Sequence, residues 1–310
     1  MAASELKSAA AKLINPMPES IQTKLELKMD AHLGEGPVWD EVNQKLWWVD
    51  ILSGKLYKYD PATAMNLSFD IGEHIGAAAL RKNGGLAMAL NSGFYFFDER
   101  SEEKTPVSDP EYHLPGNRFN DGKCDPNGRF WAGTLNYDLA NAAGSLYCLN
   151  PDLTVEKKLT GITISNGLAW NGLGDKFFFI DTPTGDICSF QYDKESGDIS
   201  SRSVITHIYK KSGYPDGMTI DTDDKLWVAL YGGGKVIQIN PKNGKIEFEI
   251  QLPVPKPTSC TFGGKDLNKL YITTCREHMT REDLKKFPES GSLFRADLPF
   301  RGLPVHRFAG

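Results

Sequence analysis

Apolar and polar positions recur along the chain in a fixed order of short segments. A run of apolar and aromatic residues after a polar turn occurs six times: KLWWVD (45–50), GLAMAL (85–90), RFWAGTL (129–135), KFFFID (176–181), KLWVALY (225–231) and KLYITTC (269–275). Its equivalent positions Leu46, Leu86, Phe130, Phe177, Leu226 and Leu270 lie 40, 44, 47, 49 and 44 residues apart. A glycine-opened or turn-opened strand follows each run, as in GKLYKYDP (54–61) and GKVIQINP (234–241), with apolar and polar residues roughly alternating. Such alternation suits a strand with one covered face. A small-residue strand ending in a turn precedes each run, for example NDGKCDPNGR or DGMTIDTDDK. The DPNG and TDDK pieces supply the turn chemistry that joins antiparallel neighbours.

Three strands per repeat, with room for an outer fourth, at this period predict propeller blades. The fold class expected is all-β, a six-bladed β-propeller. Long amphipathic helices between the strands are absent from the pattern, which argues against alternating α/β architectures. One helix is expected near 279–290 (MTREDLKKFPES), as an insertion in the last blade. An open sheet edge invites unwanted pairing, so the ring must close. The alternating segment TKLELKM (23–29) is expected to become the outer strand of the last blade. Residues 1–20 then form an N-terminal tail and residues 21–310 a single propeller domain.

Composition narrows the function classes. The chain has 310 residues, 40% hydrophobic and 24% charged, as in a globular protein. A formal net charge of −5 leaves no basic footprint for nucleic acid. No apolar run is long enough to span a bilayer or to serve as a secretory signal, so neither membrane partner nor export is expected, and the cytoplasm is the default. The five cysteines, Cys124, Cys148, Cys188, Cys260 and Cys275, are scattered without a C-x-x-C pair and read as buried apolar residues. Trp47, Trp48, Trp131, Trp170 and Trp227 fall within the strand repeats and are expected to pack between blades. Oligomeric state has no readable signal.

Inner strands of a propeller converge on its axis. Counting back 9 to 12 residues from each repeat anchor reaches Glu35, Ile75, Asp121, Asn166, Asp216 and Thr258. Four of these carry a carboxylate or amide oxygen, and each of the four precedes a glycine. Carboxylates gathered and buried together cost several kcal/mol each without a counter-charge. One divalent cation would supply it. The six histidines form no H-x-H or H-E-x-x-H group, and hard oxygen donors suit calcium, magnesium or manganese better than a His/Cys zinc site. Among those ions and zinc, calcium is favoured.

At these residues the sequence resembles the gluconolactonase, regucalcin and luciferin-regenerating-enzyme family. The matching motifs are GEGPVW (34–39), NRFNDGKCDPNGRFWAGT (117–134), SNGLAW (165–170), YPDGMTID (214–221) and GGGKV (232–236), spread over roughly residues 25–310. The resemblance implies metal ligands at Glu35, Asn166 and Asp216, three positions that the repeat count also reaches. It further implies substrate contacts from Arg118 and Asn120, with Asp121 ranked after Asn120. Where regucalcin-like members carry a glutamate shortly after A-G-T, this chain reads AGTLNYD, leaving Asp138 or Asn136 there. That change bears on which sugar hydroxyl is read.

The activity implied is hydrolysis of a small cyclic ester, a sugar lactone above others. The cation would polarise the carbonyl, Asp216 would take a proton from water, and Arg118 and Asn120 would hold ring hydroxyls. Two rival readings remain open: a calcium-binding or regulatory propeller without catalysis, and a phosphotriester or other-ester hydrolase using the same site.

Overall fold

The computed structural model describes residues 21–139 and 142–310; the expected tail at 1–20 lies outside the described residues. The strands form six separate four-stranded antiparallel sheets. The inner strand of each packs against the inner strand of the next, so the sheets form a ring, a six-bladed β-propeller. The inner strands are Gly34–Asp40, Ile75–Leu80, Asn117–Cys124, Ser165–Trp170, Tyr214–Ile220 and Pro257–Gly263.

The repeated apolar runs are the second strands. Their anchors Leu46, Leu86, Phe130, Phe177, Leu226 and Leu270 are all buried. Strands near the axis are covered on both faces by neighbouring blades, so Ile75–Leu80 and Leu86–Leu90 are buried throughout and show no alternation. The outer strands face water, and Lys104–Ser108 and Asp198–His207 are mostly exposed. Each fully buried Leu or Phe of the second strands contributes about 1.5–3 kcal/mol. Aromatic rings fill the wedges between blades. Trp131 meets Trp170 edge-on at 5.6 Å between blades three and four, and Trp39 stacks on Tyr271 at 5.5 Å between blades one and six. The five cysteines are free and buried.

Ring closure follows the expected route. Thr23–Leu27 pairs antiparallel with Leu293–Asp297 as the outer strand of blade six, with Thr23 opposite Ala296 and Leu25 opposite Phe294. The one α-helix among the described residues, Arg281–Lys286, lies in the connection between the second and third strands of that blade. A capping box between Thr280 and Asp283 starts it. Among the described residues no helix is long and apolar enough to cross a membrane.

The C-terminal segment straps one end of the ring. The Leu303 N–H donates to Ile220 O, Phe308 N–H to Leu80 O and Ala309 N–H to Gly128 O, tying blades five, two and three together. Leu303–His306 lies over the central channel, where it and the inner strands enclose a cavity of about 50 Å³.

Candidate metal centre

A local break in strand pairing recurs at the same place in all six blades. Register shifts fall between Glu35 and Val38, Ile75 and Ala77, Phe119 and Gly122, Asn166 and Leu168, Pro215 and Met218, and Pro257 and Ser259. A bulge re-aims the side chain beside it, and each break adjoins or spans the axial position of its blade. Gly167 shows why small residues follow. Its φ is +38°, and a Cβ there would lie 2.5 Å from Ile180 Cδ1 and 2.8 Å from Asp216 O.

Glu35, Asn166 and Asp216 are all buried at the axis. Burial, and then the negative charge of Asp121, pushes the Glu35 carboxyl up to about 8. Asp216 rises well above the usual carboxylate range, through burial and then the charges of Glu35, Asp121 and Glu277. Few donors offset this: Glu35 Oε2 accepts from the Gly36 N–H at 2.8 Å, and Asp216 from that of Gly217. The Asn166 amide is held in one orientation. Its Nδ2 donates to Thr182 Oγ1 at 2.9 Å, and that hydroxyl donates in turn to Pro215 O at 2.8 Å. Asn166 Oδ1 therefore faces the other way and accepts from Asn120 Nδ2 at 3.2 Å.

Asn120 and Asp121 separate across the bulge of blade three. Asn120 joins the Asn166 side, while Asp121 accepts from the Gly122 N–H at 2.8 Å. Burial raises the Asp121 carboxyl, opposed chiefly by the charge of Lys123. The Lys123 ammonium donates to Met218 O at 2.6 Å, and burial lowers its pKa. Arg118 is buried, with Nη1 donating to Asn120 Oδ1 at 2.8 Å and to Phe119 O at 3.0 Å. Asp138 sits apart, in an exposed turn where its N–H donates to Asn136 Oδ1. Its neighbour Tyr137 is the residue beside Arg118, whose Cζ lies 5.8 Å from the Tyr137 ring centre.

Sequence reasoning missed several residues here. Thr182 and Glu277 follow the second strands of blades four and six, in connections that the strand repeat does not reach, yet one orients Asn166 and the other's charge reaches Glu35 and Asp216. Among the described residues no three His, Cys, Asp or Glu side chains form a ready metal cluster. The axial donors that fit a cation are two carboxylates and one oriented amide oxygen, a hard set with open positions left for water or substrate.

The matched family model is the SMP-30/Gluconolactonase/LRE-like region, over residues 33–276. The chain belongs to this family. It is 40% identical over 286 residues to a Bacillus subtilis (strain 168) protein that carries the name putative sugar lactone lactonase YvrE, covering 92% of this chain and 98% of that one. It is 39% identical over 284 residues to regucalcin of Gallus gallus, covering 90% and 95%. Among solved structures, a calcium-binding protein, regucalcin, from Agrobacterium tumefaciens superposes with a TM-score of 0.89 at 25% identity, over 93% of this chain and 98% of that one.

Proposed function

We propose that this chain is a divalent-cation-dependent lactonase acting on sugar lactones. The observation that carries the reading is the axial pair Glu35 and Asp216, buried with few donors beside the fixed oxygen of Asn166. These three residues hold the cation, with calcium favoured by the all-oxygen donor set and by the name of the Agrobacterium relative. When bound, the cation supplies positive charge that polarises the lactone carbonyl and offsets charge developing on its oxygen.

The protein's own groups do the rest. Asp216 offers a second carboxylate oxygen to accept the proton of the attacking water. Arg118 and Asn120, locked to one another, hold ring hydroxyls and so fix the carbonyl over the axis. Asp121 and Lys123 lie next along the same strand and balance each other's charge. The names of the lactonase and gluconolactonase relatives support the reaction class.

The test is acid release from D-glucono-δ-lactone by the whole chain, with and without chelator, and after Asp216→Ala. Hydrolysis that stops on chelation, returns with calcium and is lost in the variant supports the reading. Full activity in the chelated protein contradicts it. A second reading, a calcium-binding propeller without catalysis, draws on the calcium-binding name of the Agrobacterium relative. Calcium binding without turnover on any lactone would favour it.

A further inference from the structure

The mouth of the channel between blades two and three carries a polar network outside the metal centre. His74 Nδ1 and Tyr137 Oη are 2.6 Å apart, and Tyr137 Oη donates to Asn91 Oδ1 at 3.1 Å. With its hydrogen given to Asn91, the phenol oxygen accepts from a proton on His74 Nδ1. His74 thus has a defined tautomer, and burial followed by the charge of Arg118 favours its neutral form. Three segments far apart in sequence fix one phenol: the entry to the inner strand of blade two, the turn after Leu86–Leu90, and the turn after Phe130–Asn136.

This phenol is wired to the axis. The Tyr137 ring packs beside the Arg118 guanidinium, and Arg118 Nη1 binds Asn120, which binds Asn166. Arg118 Nε is buried with no hydrogen-bond partner among the described residues. Asn91 and Arg118 also line a cavity of about 220 Å³, with Ser92, Asp109, Glu111 and Asn117 as its other polar walls. The charges that reach the Tyr137 phenol are those of Arg118 and Glu73.

We infer that Tyr137, held by His74 and Asn91 against Arg118, selects the substrate, favouring a lactone ring that carries hydroxyls away from the carbonyl over a bare alkyl lactone. This rests on the lactonase reading above. A substrate hydroxyl donates to the remaining lone pair of Tyr137 Oη, on a side chain exposed beside Arg118. An alkyl lactone leaves that acceptor unmatched, and a site built for hydroxyls discriminates against a ligand that lacks them. Tyr137 thereby takes the reading role that the family resemblance implied for Asp138 or Asn136.

The experiment compares D-glucono-δ-lactone with δ-valerolactone in the calcium-loaded wild type, Tyr137→Phe and Asp138→Asn. The ratio of kcat/KM between the two substrates is expected to fall about tenfold in Tyr137→Phe, mainly through KM, and less in Asp138→Asn. An unchanged ratio in Tyr137→Phe, or a larger fall in Asp138→Asn, overturns the assignment. Calorimetric binding of D-glucono-δ-lactam, which resists hydrolysis, separates this inference from the reaction itself. If the wild type hydrolyses no lactone, about tenfold weaker lactam binding in Tyr137→Phe still supports the rim. Equal binding, or none by the wild type, rejects it.

Discussion

Two kinds of buried carboxylate stand in the same ring, and their surroundings differ. Asp125 and Asp221 lie in the turns between the first and second strands of blades three and five, away from the axial set. Asp221 accepts from the Trp227 indole at 2.8 Å, from Gln238 at 2.9 Å, and from the N–H groups of Asp223 and Lys225. Asp125 accepts from the Trp131 indole, from Tyr192, from Arg129 and from the N–H groups of Asn127 and Arg129. Glu35 and Asp216 each have the N–H of the next glycine and little else. The first pair is satisfied by the fold and holds it together. The second is left short of donors by the fold, as the proposed cation site requires.

Truncating one member of each pair should separate the two kinds of carboxylate most clearly. Asp125→Ala should lower stability by about 3–5 kcal/mol in urea unfolding, with or without calcium, because it strands buried donors and Arg129. Asp216→Ala should leave the chelated protein at least as stable as wild type, since it removes a buried carboxyl that the fold supplies with little beyond one N–H donor. The same change should cut lactone turnover by about 10²–10⁴-fold. Equal stability losses in the two variants would erase the distinction.

pH offers the next handle. The Glu35 carboxyl is raised in the folded state to about 8, so the fold binds a proton there that the unfolded chain has already released. Its contribution is fully present below the ordinary carboxylate pKa and is lost as pH rises through about 8. The Tm of chelated protein should therefore fall over that window, and saturating calcium should flatten the curve. Thr182→Val removes the acceptor that orients Asn166 and should weaken calcium binding about 10–100-fold in titration calorimetry. Smaller still, Gly167→Ala places a Cβ at positive φ against Ile180 and Asp216 O, and should cost about 1–2 kcal/mol in thermal unfolding.

The sequence made some of this visible and hid the rest for physical reasons. Strands buried on both faces give continuous apolar runs, and the blade period aligns them, so the ring and its closing strand could be read directly. Glu35, Asn166 and Asp216 shared a phase of that repeat. The bulge between Phe119 and Gly122 does not show in the pattern, so which of Asn120 and Asp121 turns toward Asn166 required coordinates. His74, Asn91 and Tyr137 stand in turns of two blades, and no periodicity links such turns. Glu277 escaped because it stands in the connection between the second and third strands of blade six, where no strand periodicity marks it.

Glu35 and Asp216 are short of a counter-charge, and in the proposed function a divalent cation provides it. Calcium titrated into chelated protein at pH 7, in two buffers of different ionisation enthalpy, tests it most directly. The account predicts one ion bound per chain with release of about one proton or more, because Glu35 and Asp216 must give up protons to bind it. Both binding and proton release should vanish in Asp216→Ala. Absence of binding, or binding with no proton released, would contradict the account.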